Sequence, residues 1–303
     1  AKLKQYTKDI HICGNRNSFS KTDHDATFMH MKEDYMRNGQ LKPGYNVNVA
    51  TCSDFIIGSY ISSDRNDVHT LIPFMEQLKK NYAGRNIGSV VVDSGYESEE
   101  NYCWFEAHPE TELYVKPSNH EAAKHRKYRT DISRRENMAY DAQTDTYTCA
   151  NGKLLQRTRE KKTHTASGLE IATSVYECNE CDGCPLKEKC IRACGSKKPL
   201  EERYKVIYVS KRFARQRQAM EAKISSPKGC LLRVNRSIQA EGNFAYVKQD
   251  LDFRRFLLRG NMKVAAEWLL FSLALNILHL HHKIQNRRLG SDLKIPSSFP
   301  AGL

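Results

Sequence analysis

The feature that most constrains the fold is a short apolar run, Ser89–Val92, which leads directly into Asp93 and Gly95. Such a run is typical of a central strand that is buried on both faces. A carboxylate that follows a buried strand lies where the sheet edge opens to solvent, and ligands bind there in α/β folds. Asp93 is therefore a candidate functional residue, although capping the turn that follows is an equally simple role for it.

The segments around this run predict the order hairpin, helix, strand, helix, strand. Alternating apolar residues over 45–61 predict a β-hairpin, and helical apolar spacing up to Tyr82 predicts a helix that Asp67 can cap. Ser98 can open a second helix, and Leu113–Val115 reads as a further strand. This order indicates an α/β sheet.

The chain divides by composition into five segments. Residues 1–44 are polar and predict loop with short helical turns, and 45–116 form the first part of an α/β core. Residues 117–225 are basic and cysteine-rich, which predicts an insertion with its own small fold. Residues 226–290 return to the core as helix, and 291–303 form a tail. The apolar face of the last helix comprises Val264, Trp268, Phe271, Leu275 and Leu278.

Charge predicts a polyanionic partner. Lys and Arg number 48 against 35 Asp and Glu, a net charge of +13, and nucleic acid is the usual partner of such a chain, although a merely basic protein is the plain alternative. Because the opening residues are polar, we expect no signal peptide there. Trp268–Leu280, the most apolar stretch, is interrupted by polar residues and predicts no membrane span. We therefore expect a cytoplasmic protein.

Clustered cysteines predict a metal site more than a disulfide framework. Of ten cysteines, several follow the pattern Cys178-x2-Cys181-x2-Cys184-Pro-x4-Cys190, with Cys149 upstream. Tetrahedral zinc needs four soft ligands. The predicted structural Zn²⁺ ligands are Cys149, Cys181, Cys184 and Cys190, with Cys178 or Cys194 as replacements. Reduced cysteines without metal are the alternative, and packing roles suit the isolated Cys13, Cys52, Cys103 and Cys230.

Basic runs recur through the predicted insertion, at residues 124–129, 134–135, 157–162 and 197–198. Interleaved with aromatic residues, such runs suit contacts to a phosphate backbone. Any single run is usually a solvated face. Four in one segment favour DNA contact.

Taken in order, several segments resemble the DDE transposases of bacterial insertion sequences. They are Thr22–Leu71 (with Met31–Asp34 and Gly39–Asn46), Val92–Tyr96, Arg236–Glu241 and Arg254–Gly260. The similarity extends over nearly the whole chain. Each segment alone is moderately specific, whereas the ordered set is highly specific.

The resemblance implies an RNase H-like core, a mixed sheet flanked by helices, that holds two Mg²⁺ or Mn²⁺ ions with two Asp and one Glu. Asp93 matches the second Asp and Glu241 the Glu. Arg236 and Lys248, placed about one and two helical turns from Glu241, would present positive charge to phosphates. The preferred further DNA contacts are Arg254, Arg255 and Arg259. The implied partners are terminal inverted repeats, target DNA and further copies of the chain in a synaptic complex.

The first Asp of the family has no match. It belongs on the first core strand, but the acidic residues before Tyr45 lie in polar, non-strand surroundings; they are Asp9, Asp23, Asp25, Glu33 and Asp34. Truncation at the N-terminus, with loss of the first core strand, is the expected explanation. Two alternatives remain open: a non-catalytic DNA-binding remnant, and an RNase H-like nuclease that does not transpose.

Overall fold

A computed structural model of the chain describes residues 2–31, 36–192, 197–290 and 293–294. Its backbone divides into two compact units. Unit 1 comprises Ala1–Glu97, Trp104–Val115 and Lys223–Leu303, and unit 2 comprises Ser98–Cys103 and Lys116–Ala222. Glu33, Asp34, Cys194 and most of the predicted tail lie outside the described residues.

Helices and strands are mixed along the chain, which confirms the α/β class in its coarse form. The helices are α1 (Lys2–Cys13), α2 (Leu71–Asn81), α3 (Glu99–Glu106), α4 (Arg126–Arg129), α5 (Lys187–Cys190), α6 (Lys211–Ser225), α7 (Pro227–Arg236), α8 (Gly242–Ala245) and α9 (Asn261–Gln285). The strands are β1 (Thr27–Met29), β2 (Lys42–Gly44), β3 (Asn46–Cys52), β4 (Phe55–Ser62), β5 (Ser89–Val92), β6 (Glu112–Val115), β7 (Ala139–Asp141), β8 (Thr146–Thr148), β9 (Leu154–His164), β10 (Glu170–Glu177) and β11 (Val206–Val209).

In unit 1, strands β3 and β4 form the predicted hairpin. Its two connecting residues, Ser53 and Asp54, have φ angles of 53° and 73°. Two positive φ angles define a type I′ turn, whose twist matches that of the flanking strands. Asp54 forms ion pairs with Lys283 at 3.4 Å and with Lys294 at 3.1 Å. The hairpin tip is therefore tied to the C-terminal part of the chain.

Helix α2 confirms the helix predicted up to Tyr82, but Asp67 does not cap it. The chain first makes a 3₁₀ turn over Asp67–His69, whose cap is Asn66, and Thr70 then precedes α2. Because the cap lies one residue upstream, the Asp67 carboxylate is available to the hairpin. It accepts a hydrogen bond of 2.7 Å from the Asn46 side chain.

Strands β5 and β6 pair in parallel, and both were predicted. The prediction that Ser89–Val92 is buried on both faces is wrong: β5 is half-buried or exposed, whereas Leu113–Val115 are buried. Within the described residues, β5 pairs only with β6, and β3–β4 form a separate pair. The strands therefore do not join into the single sheet that was expected.

The N-terminal segment is more regular than predicted. It contains the 12-residue helix α1 and the short antiparallel pair β1–β2. Asp23 accepts hydrogen bonds from the Tyr45 hydroxyl at 2.6 Å and from the Gly260 amide at 3.2 Å, and Asp25 accepts one from the Asn261 amide at 2.8 Å. These carboxylates occupy the N-terminus of α9, where exposed amide groups and the helix dipole favour negative charge.

Helix α9 confirms the predicted C-terminal helix and packs on β4. Of its predicted apolar face, Val264, Trp268 and Leu275 are buried. The Asn276 side chain donates to the Ile56 carbonyl and accepts from the Ile56 amide, both at 2.8 Å. Around this contact lies the core of unit 1.

Helix α9 is longer than the apolar stretch considered from the sequence. Its 25 residues, of which the Trp268–Leu280 stretch is only a part, are long and apolar enough to cross a membrane by length and composition alone. A core helix satisfies the same criterion, and α9 has one face packed in unit 1.

Unit 2 is built on a five-stranded antiparallel sheet in the order β11-β10-β9-β8-β7. Leu155, Val175 and Tyr176 are fully buried in its core. Strand β9 was not predicted, because only Leu155 of its 11 residues is buried. A strand exposed along most of its length shows no apolar alternation. Helix α6 was missed as well.

Candidate functional site

Asp93 follows the last residue of β5 and leads into a 3₁₀ turn over Ser94–Tyr96. Its Oδ1 atom accepts a hydrogen bond of 2.7 Å from the Ser94 amide. Its Oδ2 atom lies 3.7 Å from Nη2 of Arg236, and 44% of the side chain is exposed. The two oxygens thus have different surroundings. Oδ1 caps the turn, which was one of the two roles considered from the sequence, and Oδ2 faces the Arg236 guanidinium.

Glu241 ends a π-helical turn, Ser237–Glu241, that follows α7. Its Oε1 atom lies 3.0 Å from Nη1 of Arg236, and its Oε2 atom accepts a hydrogen bond of 3.0 Å from the Ser237 hydroxyl. A π turn is closed by hydrogen bonds between residues five apart, and such turns occur frequently at functional sites. Arg236 and Glu241 are five residues apart.

Arg236 brings the two candidate carboxylates together. One nitrogen of its guanidinium faces Asp93 and another faces Glu241. The guanidinium is planar and permanently charged, with several donors in a fixed arrangement. Asp93 and Glu241 are far apart in sequence, yet both carboxylates contact this one cation.

A buried polar network lies behind the Asp93 turn. The Tyr96 hydroxyl donates to the Asn48 side chain, and the Thr70 hydroxyl donates to the same oxygen at 2.9 Å. Burial raises the pKa of Tyr96, and the nearby Asp67 and Asp93 carboxylates act in the same direction. A Cβ atom on Gly95 would lie 3.0 Å from Oδ2 of Asp67, so the turn approaches that carboxylate closely.

Asn48 and Asp67 were not predicted as neighbours of the site. The sequence pattern that could have indicated the role of Asn48 is the alternation of Asn46 and Asn48 with the apolar Val47 and Val49 along β3. A strand that is apolar on one face and carries amides on the other places those amides together.

Four further basic residues were predicted to contact DNA, and all are exposed: Lys248, Arg254, Arg255 and Arg259. Lys248 lies on a second π turn, Tyr246–Asp250. Arg254 donates to Asp252 at 2.5 Å, and Arg259 donates to the Thr22 carbonyl at 3.4 Å.

Arg254, Arg255 and Arg259 lie on one loop, whose backbone is hydrogen-bonded to a residue of α9. The buried Glu267 of α9 accepts hydrogen bonds from the amides of Leu257 and Leu258 at 3.0 to 3.1 Å. A carboxylate that accepts several amides fixes the loop backbone. The loop therefore carries exposed arginine side chains on a backbone that hydrogen bonds hold in place.

The cysteine cluster forms in unit 2. Cys149, Cys178, Cys181, Cys184 and Cys190 line one cavity of about 20 Å³, and all five are free thiols. Burial raises the pKa of Cys178 to about 11 and also raises that of Cys190. Among the described residues, however, no group of three or more His, Cys, Asp or Glu side chains is arranged to hold a metal ion.

In a comparison with protein families, residues 148–281 match the family described as a transposase DDE domain. Comparison with curated proteins and with solved structures gives no significant match. The matched segment contains Arg236, Glu241 and the cysteine cluster, whereas Asp93 lies outside it. This match supports the resemblance to DDE-type transposases that the ordered motifs indicate.

Proposed function

We propose that this chain is part of an enzyme that cleaves DNA and transfers strands for an insertion sequence, with Asp93 and Glu241 as two of its cation-binding carboxylates. The observation that carries the proposal is the shared contact of both carboxylates with the Arg236 guanidinium. An RNase H-like core, interrupted by residues 117–225, is part of the proposal.

The two carboxylates fit a hard divalent cation. Mg²⁺ is usually bound by one or two carboxylates, with water and substrate phosphates as its other ligands. Asp93 has one oxygen that is not used by its turn, and Glu241 is largely exposed. A bound Mg²⁺ or Mn²⁺ would stabilise the attacking and leaving oxygens of a phosphodiester. The protein's part is to hold its two carboxylates at one place.

DNA is the proposed substrate, as both terminal inverted repeats and target. The net charge of +13 attracts a polyanion. The exposed arginines of the loop fixed by Glu267 suit phosphate contacts, which do not depend on base sequence. A multimer that pairs two DNA ends is also part of the proposal, and sedimentation of the protein with and without end DNA tests it.

Activity of the isolated chain is expected to be low. A DDE site uses three carboxylates, and two are matched here. We therefore expect little or no strand transfer from residues 1–303 alone.

The test uses a duplex made from the DNA that flanks the coding sequence, which includes the inverted repeats, with Mg²⁺ or Mn²⁺. Robust joining that Asp93→Ala abolishes would show that two matched carboxylates suffice and would overturn the expectation of inactivity. Hydrolysis without joining would favour a nuclease.

Cation binding tests the site without requiring activity. Calorimetric titration of the chain with MnCl₂ should give a binding isotherm that Asp93→Asn and Glu241→Gln each weaken. Binding that neither substitution changes would show that the carboxylates are not ligands.

We also propose a structural Zn²⁺ in unit 2, with Cys149, Cys181, Cys184 and Cys190 as ligands. The support is that these thiols and Cys178 line one small cavity and form no disulfide. Four thiolates leave no open position on tetrahedral zinc, so its role would be to stabilise the fold.

A further inference from the structure

The Arg236 guanidinium stands between the carboxylates that the proposed function assigns to a metal ion. It lies 3.0 Å from Glu241 and 3.7 Å from Asp93. Two carboxylates held near one another repel unless a positive charge lies between them. In this structure that charge comes from the chain itself.

The backbone beneath Arg236 is anchored, whereas its side chain is not enclosed. The neighbouring Asn235 is buried, and its amide exchanges hydrogen bonds of 2.7 and 2.8 Å with the backbone of Lys294. The Arg236 side chain is 24% exposed. A long side chain on an anchored backbone can leave its partners without local unfolding.

The contact with Glu241 depends on the π turn. In an α-helix, residues three or four apart are neighbours, and residues five apart point in different directions. The π turn over Ser237–Glu241 brings Arg236 and Glu241 together. A change in the partner of Arg236 would therefore involve only this turn and the side chains beside it.

We propose that Arg236 is an exchangeable counter-ion. It pairs with Asp93 and Glu241 before a divalent cation binds, the cation displaces it, and the released guanidinium then binds a phosphate of the DNA. This inference rests on the proposed function, because it takes Asp93 and Glu241 as the metal ligands. It assigns Arg236 two successive anionic partners, first carboxylate and then phosphodiester.

Competition predicts opposite effects on the two ligands. Removal of the guanidinium should strengthen Mn²⁺ binding, because the cation no longer displaces an ion pair, and should weaken DNA binding in the presence of Mn²⁺. Partly exposed ion pairs are weak, so the gain in Mn²⁺ affinity should be about three- to tenfold.

The experiment measures calorimetric binding of MnCl₂ to the full chain and to Arg236→Gln, with Arg236→Met as a second variant. Arg236→Lys keeps the charge and should bind Mn²⁺ about as the unchanged chain does. Arg85→Gln is the matched control, because Arg85 is an exposed loop arginine and its loss gives the same change in net charge. Far-UV circular dichroism verifies that each variant is folded.

Three outcomes separate the hypotheses. The exchange is supported if Arg236→Gln binds Mn²⁺ more tightly than the unchanged chain, and Arg85→Gln does not. In that case, adding Asp93→Asn to Arg236→Gln should weaken Mn²⁺ binding. The exchange is overturned if Arg236→Gln and Arg236→Met both bind Mn²⁺ no more tightly than the unchanged chain, or if Arg85→Gln gains as much affinity as they do. Either result leaves the proposed metal site in place. Mn²⁺ binding that does not depend on Asp93 or Glu241 in any variant overturns the proposed metal site itself.

Discussion

Asn276 of α9 satisfies both backbone groups of Ile56 on β4, with two hydrogen bonds of 2.8 Å. The pair joins the C-terminal helix to the hairpin within the core of unit 1. A single amide thus replaces the partner strand that Ile56 would otherwise need on that side.

Substitution of Asn276 by Ala should therefore destabilise unit 1. It leaves a partly buried amide and a partly buried carbonyl without partners, which costs about 1–3 kcal/mol for such a group. Urea unfolding monitored by circular dichroism measures the change. Asn286→Ala, which removes an exposed hydrogen bond to the His282 carbonyl, is the control and should change stability by less than about 0.5 kcal/mol. Equal effects of the two substitutions would contradict this account.

Asp145 should contribute to the acid sensitivity of unit 2. Partial burial would raise its pKa, but hydrogen bonds from Lys211, Tyr176 and Tyr140 lower it to about 2. Because the pKa is lower in the folded state, the stabilisation is complete above the unfolded value near 3.8 and is lost as the pH falls through about 2.

The variant Asp145→Asn tests this, since Asn tolerates the positive φ of 51° at this position. The free energy of unfolding should fall by at most about 2 kcal/mol at pH 6 and change less at pH 2. A difference between the proteins that stays constant from pH 2 to 6 would show that the carboxylate charge is not responsible.

Loss of Arg255 should weaken DNA binding in a manner that depends on salt. Each phosphate contact contributes about one unit to the slope of log affinity against log salt concentration. Fluorescence anisotropy with a labelled duplex at several KCl concentrations measures that slope for the chain and for Arg255→Gln. The slope should decrease by about one, and Arg85→Gln should leave it unchanged. An unaltered slope in Arg255→Gln would place this arginine outside the DNA contacts.

Zinc should accompany unit 2 in protein purified without chelators, at about one ion per chain. Elemental analysis by mass spectrometry measures it. Cys149→Ser and Cys181→Ser should each lower the zinc content and the melting temperature, whereas Cys230→Ser, which lies outside the cavity, should change neither. Protein that contains no zinc, with melting unaffected by EDTA, would favour reduced cysteines that only pack.

The sequence predicted the elements that have a local apolar signal. The β3–β4 hairpin and α2 have apolar spacing of the expected period, β6 is a short apolar run, and the structure contains all of them. Helix α1 was missed because none of its residues is buried, so its sequence has no reason to be periodic. Strand β9 was missed for a related reason, since it is exposed along nearly all its length.

The candidate site was predicted less completely than the hairpin. Resemblance to a family selected Asp93, Arg236 and Glu241, and in the structure both carboxylates lie beside the Arg236 guanidinium. The π turn that brings Arg236 beside Glu241 could not be predicted from helical spacing. The contacts of Asp67 and Asn48 with the Asp93 turn depend on tertiary packing, which local patterns do not contain.

The division of unit 1 along the chain has a consequence for biosynthesis. Asp25 lies near the start of the chain, but the α9 amide that it caps is at Asn261, so a ribosome must translate all of unit 2 before the two can meet. Unit 2, whose residues are nearly continuous, is complete on the nascent chain much earlier. The carboxylates of the candidate site therefore meet late in synthesis, after Glu241 has left the exit tunnel.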